Sequence, residues 1–302
     1  MKKILTILLL TFIGITSAYA QLVNTDSNTR TLKFILSTGP GSGTDSAIET
    51  YALCLRNQNI NIVKEFKPGA EGFIAIQALQ QSRDTPQLTN ILVGNFGLNM
   101  LGKFPGINLL EDIHPLTYTN SGPVVIAGKK DRFKSIQDLR ELSKKRPINI
   151  GSTFISGTYI AEQLFTELQI PYQIIPYKNN VNAITDILNG SLDLTSDTFM
   201  GTKALIEGDR LDIFTSTLDK RTATKYNHNN IEKYSTKLGK MPLGIVLSSN
   251  PTLSNEQKNL VVNAIQMCNR EKEIVEKLEK IGSNPIFMST EEIRQLIKQT
   301  SK

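Results

Sequence analysis

The residues best suited to chemistry in this chain are not catalytic side chains but turns rich in glycine and hydroxyl groups. The first reads Ser37-Thr38-Gly39-Pro40-Gly41-Ser42-Gly43-Thr44-Asp45, between an apolar strand at 32–36 and a helix predicted from about Asp45. Its glycines let a ligand approach the backbone, and Ser42 and Thr44 add hydroxyl donors. The helix that follows contributes unpaired N–H groups and a partial positive charge. A carboxylate or phosphate would suit such a loop. No Lys-Ser/Thr follows the glycines, so it is not a nucleotide P-loop. The plain alternative is a strand–helix turn with Asp45 as N-cap.

The arrangement recurs. Pro68-Gly69-Ala70-Glu71-Gly72 precedes a second helix, and Ser152-Thr153-Phe154-Ile155-Ser156-Gly157-Thr158 follows a later strand. Further strand ends carry Gly94-Asn95, Tyr177-Lys178-Asn179-Asn180 and Thr195-Ser196-Asp197. Open α/β sheets bind ligands at such C-terminal strand ends. The candidate binding set is therefore Pro40, Ser42, Gly43, Thr44, Asp45, Gly69, Ala70, Asn95, Ser152, Thr153, Ser156, Gly157, Thr158, Tyr177 and Asp197.

Catalytic chemistry has little to work with. The two histidines, His114 and His228, have no second ligand-type residue at metal spacing. Neither a Gly-x-Ser-x-Gly elbow nor a Ser-x-x-Lys pair occurs. We expect no catalytic residues, no cofactor and no metal. Lysines are spread along the chain without an aromatic-interleaved basic block, which disfavours nucleic acid.

The elements that must position these turns alternate. Strands are predicted at 32–36, 60–63, 91–93, 123–127, 148–150, 172–177, 192–195, 211–217 and 243–247. Helices are predicted from about 45, over 72–82, 135–145, 158–168, 182–189 and 202–207, with charged helices ending the chain. Ser135 with Asp138, Ser254 with Gln257 and Ser289 with Glu292 read as helix caps, and Gly190 as a left-handed helix stop. This alternation argues for α/β architecture with parallel sheets flanked by helices. The segment 219–241 reads as polar and irregular.

The first twenty residues read as an export signal: Lys2 and Lys3, a twelve-residue apolar stretch at 4–15, then Ala18-Tyr19-Ala20. That stretch is shorter than the roughly 20 residues a membrane span needs. Cleavage after Ala20 is expected. It leaves 282 of the 302 residues, enough for two domains, and lowers the formal charge from +6 to +4. The two cysteines, Cys54 and Cys268, are expected as buried unpaired thiols packing as small hydrophobes, with a bridge as the alternative.

The turns taken in order resemble the solute-binding proteins of tripartite tricarboxylate transporters, the Bug receptors. Pro40-Gly41-Ser42-Gly43-Thr44-Asp45 is similar to the family's Pro-Gly-Gly-x-x-Asp loop. Pro68, Gly69, Ala70 and Gly72 match its second loop, and Tyr177-Lys178-Asn179 with Gly190 and Asp193 its later segment. The resemblance implies a two-lobed periplasmic binding protein of the type II, Venus-flytrap kind, each lobe a mixed sheet flanked by helices. Lobe one would comprise 21–121 and 243–302, lobe two 122–242, with crossings near Ser121-Gly122 and Leu243-Gly244. It also implies a monomer that closes on a small organic carboxylate and passes it to membrane permease subunits. The ligand is expected between Ser42-Gly43-Thr44 of one lobe and Ser156-Gly157-Thr158 of the other, with Asp45 mainly a cap.

Departures fall on the ligand loops. Ser42 and Asn179 stand where the family has glycine, Phe66 where it often has asparagine, and the loop near Tyr159 lacks its usual histidine. Receptors for amino acids, phosphate or sulfonates, a receptor serving a sensor, and a secreted enzyme on the same fold are the alternatives. An amino-acid clamp would want an arginine, and the candidate loops hold none.

Overall fold

The computed structural model describes residues 29–94, 111–239 and 243–300. The expected signal peptide, the Ala20–Gln21 junction and Asn95 lie outside the described residues. In chain order the strands of the first half are β1 (Arg30–Leu36), β2 (Ile60–Phe66), β3 (Leu88–Gly94), β4 (His114–Ser121) and β5 (Val124–Lys129). The others are β6 (Ile148–Ser152), β7 (Tyr172–Pro176), β8 (Leu194–Thr198), β9 (Leu211–Ser216), β10 (Asn229–Asn230) and β11 (Gly244–Ser249). The helices begin with α1 (Gly43–Asn57), α2 (Phe73–Gln80), α3 (Ile136–Ser143), α4 (Ile155–Glu167), α5 (Asn180–Asn189) and α6 (Phe199–Glu207). They continue with α7 (Lys220–Lys225), α8 (Thr236–Gly239), α9 (Asn255–Cys268), α10 (Lys272–Lys280) and α11 (Thr290–Thr300).

Two sheets result, ordered β2-β1-β3-β11-β4 and β10-β9-β5-β8-β6-β7. Each is parallel except for one strand. β11 runs antiparallel to β3 and β4, and β5 antiparallel to β8 and β9. These two are the strands through which the chain enters each sheet from the other. The sheets are therefore mixed rather than wholly parallel. The two crossings lie side by side: Gly122 N–H donates to Leu243 O at 3.0 Å, and Gly244 pairs with Ser121. A Cβ on Gly244 would stand 2.6 Å from Asn120 O and 2.7 Å from the Tyr118 ring, so only glycine fits there.

The face of α1 that the sequence makes apolar is the one that is buried. Ala47, Ile48, Tyr51 and Leu55 are fully shielded and pack with Leu32, Phe34 and Leu36 of β1, and with Val261 and Ile265 of α9. Burial of each large side chain stabilises by about 1.5–3 kcal/mol. At the end of this face the expectation of free thiols fails. Cys54 and Cys268 form a disulfide with a Cα separation of 5.7 Å, tying α1 to α9 across 214 residues of sequence. Both helices pack on the first sheet, and their ends meet.

Strand β4 escapes a reading of hydropathy, for a clear reason. Thr117, Thr119 and Asn120 are buried in its middle, so no apolar run marks it. Their polar groups are matched internally. Tyr51 Oη lies 2.7 Å from Thr119 O and 2.6 Å from Asn269 Oδ1, while Asn120 Nδ2 donates to Ser283 Oγ at 2.8 Å. A buried polar strand is stable only with such pairing. The segment read as irregular, 219–241, carries the short elements α7, β10 and α8.

Candidate functional site

The first glycine-rich turn begins its helix earlier than the sequence suggests. Ser42, not Asp45, is the N-cap of α1; its Oγ accepts from Asp45 N at 3.2 Å. Asp45 sits in the first turn, accepts from Gly41 N at 2.9 Å, and pairs with Lys64 Nζ at 2.6 Å. Its carboxylate is thus committed to the turn and to β2. Gly41 has φ +74°, which a side chain would strain.

Facing this turn are the starts of three helices from the second sheet. Asn179 caps α5, its Oδ1 accepting from Asn182 N at 3.0 Å. Thr198 caps α6, its Oγ1 accepting from Gly201 N at 3.1 Å. Phe154 occupies the N-cap of α4, where no side-chain cap bond forms. Between them and α1 lies a cavity of about 20 Å³. Thr38, Gly39, Ser42, Gly43 and Thr44 line one wall; Thr153, Phe154, Lys178, Asn179, Asn180, Asp197 and Thr198 line the other. Four helix N-termini converging on one point favour an anion. Each contributes about 0.3–1 kcal/mol, or up to ~2 when partly buried.

Gly43 sets how closely the halves approach. A Cβ there would stand 2.7 Å from Met200 Cβ and 2.8 Å from Thr198 Oγ1. With the halves this close, the cavity has room for about one water molecule.

Asp197 is the one carboxylate in the cavity wall, among the described residues. It is 4% exposed. Oδ1 accepts from Thr198 N at 2.6 Å, whereas Oδ2 has no hydrogen-bond partner among the described residues. Burial away from water pushes its pKa up to about 7 against the bonds from Thr198.

Several candidates stand elsewhere. Ser156, Gly157 and Thr158 are expected to face the ligand, but α4 starts at Ile155 and takes them into its first turn. Gly157 packs under β8, where a Cβ would be 2.6 Å from Ser196 O. Ser152 Oγ donates to Phe154 O at 3.0 Å and shapes the loop from behind. Tyr177 Oη donates to Asp186 at 2.6 Å; burial first, then that carboxylate, pushes its pKa up to about 12. Pro40 is exposed beside the cavity. Gly69 and Ala70 take positive φ, +118° and +45°, to turn the chain into α2, and do not line the cavity. Asp193, matched to the family pattern, is fully buried and serves structure. It holds Arg132 and Arg146, and accepts from Asn149 N at 2.9 Å.

The sequence reading misses Thr198, because it begins α6 at 202; it names Lys178, Asn179 and Asn180 in a strand-end turn but takes only Tyr177 of that turn into the candidate set. Asn and Thr directly before a helix are N-cap signals that would find both. Among the described residues no group of three or more His, Cys, Asp or Glu is placed to hold a metal, and no helix is long and apolar enough to cross a membrane. A larger open groove of about 810 Å³ lies beside the crossings, lined in part by Phe199, Lys203, Tyr226, Glu279 and Lys280. No described residue lines both: Phe199, the first residue of α6, borders the groove, and Thr198, its cap, borders the small cavity.

Similar proteins bear on the fold and family. No curated protein matches the sequence. Among solved structures, the periplasmic binding protein BugD superposes with a TM-score of 0.78 at 19% identity, covering 90% of this chain and 94% of its own. An R. palustris protein, Rpa4515 with adipate, superposes at 0.78 with 17% identity, covering 91% and 95%. MatC from Rhodopseudomonas palustris with bound malate does so at 0.78 with 13% identity, covering 91% and 97%. At these identities they establish a shared periplasmic-binding-protein fold. The model of the tripartite tricarboxylate transporter family receptor matches residues 54–302, and the chain accordingly belongs to that family of solute-binding receptors.

Proposed function

We propose that the chain is a periplasmic receptor, cleaved after Ala20, that closes its two lobes on a small organic carboxylate. It delivers the acid unchanged to the permease subunits of a tripartite transporter. The lobes are 21–121 with 243–302, and 122–242. The observation that carries this reading is the convergence of the starts of α1, α4, α5 and α6 on one cavity whose lining, among the described residues, holds no arginine. Such a site holds an anion by backbone N–H groups and hydroxyls rather than by a buried counter-charge. The adipate and malate bound by two proteins of the same fold support the ligand class. The Cys54–Cys268 disulfide suits an oxidising compartment.

A thermal-shift screen of two- to six-carbon mono- and dicarboxylates tests the proposal. At about 100 times its dissociation constant, a true ligand stabilises by ~2.7 kcal/mol, a shift of several degrees. A screen in which only neutral or cationic solutes shift the transition would overturn it.

A further inference from the structure

We infer that Asp197 takes part in capture as the neutral acid, donating a hydrogen bond from Oδ2 to the carboxylate of the ligand, so that a protein molecule whose Asp197 is ionised takes up one proton from solvent when it binds. This rests on reading the cleft as a carboxylate site.

The geometry leaves Asp197 little else to do. Its Oδ1 is engaged by Thr198 N, and its Oδ2 is buried in the cavity wall without a partner among the described residues. Native proteins rarely leave a buried carboxylate oxygen unmatched unless a ligand or water completes it. No ion pair reaches Asp197 among the described residues, and the surrounding charges are otherwise engaged or solvated. On α1, Asp45 is held by Lys64. On α6, Lys203 pairs with Glu207 at 3.0 Å. On α5, Asp186 accepts from Tyr177. Lys178 lines the cavity but is exposed to solvent. On α4, Glu162 lies two turns beyond the helix start. Within the sheet, Asp197 lies opposite uncharged Val125 of β5, and β6 ends beside it in the hydroxyl of Ser152.

An anionic ligand at the helix starts must therefore sit beside this carboxyl. Two carboxylates in a desolvated site cannot both stay ionised; one takes a proton. The ligand carboxylate is the one stabilised by the helix N–H groups, so the proton goes to Asp197. With the cavity closed, burial pushes the pKa of Asp197 up to about 7, and a bound anion raises it further.

The sign follows from linkage. Below about pH 6 Asp197 is already neutral and affinity is flat. Above pH 7 a proton must be taken up on binding, and affinity falls by up to tenfold per pH unit. At pH 8 uptake approaches about 0.9 proton per ligand for a closed-cavity value of about 7.

The test is titration calorimetry of the mature protein with malate, adipate and the other acids of the screen between pH 6.5 and 8.5, where simple carboxylic acids are ionised. Each titration is run in two buffers of different ionisation heat. Wild type should take up a proton and lose about tenfold in affinity between pH 7 and pH 8.5. Asp197→Asn, which keeps the shape and the donor, should bind independently of pH and about tenfold more tightly than wild type at pH 8. The buffer-dependent heat of wild type decides the matter even if the variant folds poorly. Affinity that holds or rises with pH, or binding without proton uptake, overturns the inference and leaves the carboxylate site standing. An amino acid whose binding strengthens with pH and is lost in Asp197→Asn marks an ionised acceptor instead, which also overturns it. If no acid of the screen binds at any pH, the carboxylate reading falls and this inference with it.

Discussion

Reduction of the Cys54–Cys268 bridge should weaken the protein by several kcal/mol. The bridge closes 214 residues, from the end of α1 to the end of α9. In the chain-entropy model a loop of that length restricts the unfolded chain by roughly 18 cal/mol/K, equivalent to about 5 kcal/mol at 25 °C. Local contacts in the folded state change little, because both sulfurs lie in a fully buried cluster with Leu55, Val261 and Ile265. For a protein of this size each kcal/mol shifts Tm by about 2–4 °C, so the fall should be on the order of 10–20 °C. The assay is differential scanning calorimetry of the oxidised protein, with and without reductant, beside a Cys54→Ala/Cys268→Ala variant. Two free thiols titrated in the unfolded, unreduced protein, or a Tm indifferent to reductant, would refute the bridge and the reasoning from it.

Three further outcomes are expected. Asp193→Ala strands Arg132 and Arg146, which hold its buried carboxylate, and should cost about 3 kcal/mol, the low end for a broken buried pair, because both guanidinium groups reach solvent; urea unfolding measures it. Desolvation raises the Asp193 pKa, but Arg146, Asn149 N and Arg132 outweigh it and hold it below the ordinary carboxylate value, so its stabilisation is complete above about pH 4 and lost as pH falls further; the Asp193→Ala deficit should shrink between pH 7 and pH 3. Ser135→Ala removes the reciprocal cap of α3, in which Ser135 Oγ accepts from Asp138 N and Asp138 accepts from Ser135 N, and should lower Tm by about 2–4 °C for the ~1 kcal/mol lost. Thr44→Val removes a hydroxyl from the cavity wall and should abolish most of the thermal shift given by the acid, whereas Lys144→Ala, on the exposed end of α3, should leave it unchanged.

Elements with a periodic or punctuated pattern can be read from sequence. Ser135 and Asp138 cap α3, and Gly190 ends α5 with φ +89°, because a short polar side chain and a missing Cβ leave local marks. The two-series pattern of strands and helices likewise points to the α/β class. What depends on contacts remote in sequence stays hidden. β4 is buried through hydroxyls and amides matched by Tyr51, Asn269 and Ser283, and local hydropathy cannot record a partner more than sixty residues away. The bridge between Cys54 and Cys268 leaves no spacing signal for the same reason. In the site, the near wall at Ser42, Gly43 and Thr44 is legible as a glycine-rich turn. On the far wall the sequence starts α4 at Thr158, whereas the helix begins at Ile155, so that Thr153 and Phe154 rather than Ser156–Thr158 line the cavity.

The position of the bound acid tests the central claim most directly. A crystal structure of the mature protein with the most stabilising carboxylate of the screen should show it between the lobes. Its carboxylate should lie within hydrogen-bond distance of Ser42–Thr44 on one side and of Thr153, Asn179 or Thr198 on the other, with Oδ2 of Asp197 against it. An acid found instead in the open groove by Phe199, Tyr226 and Lys280, and not in the small cavity, would contradict it.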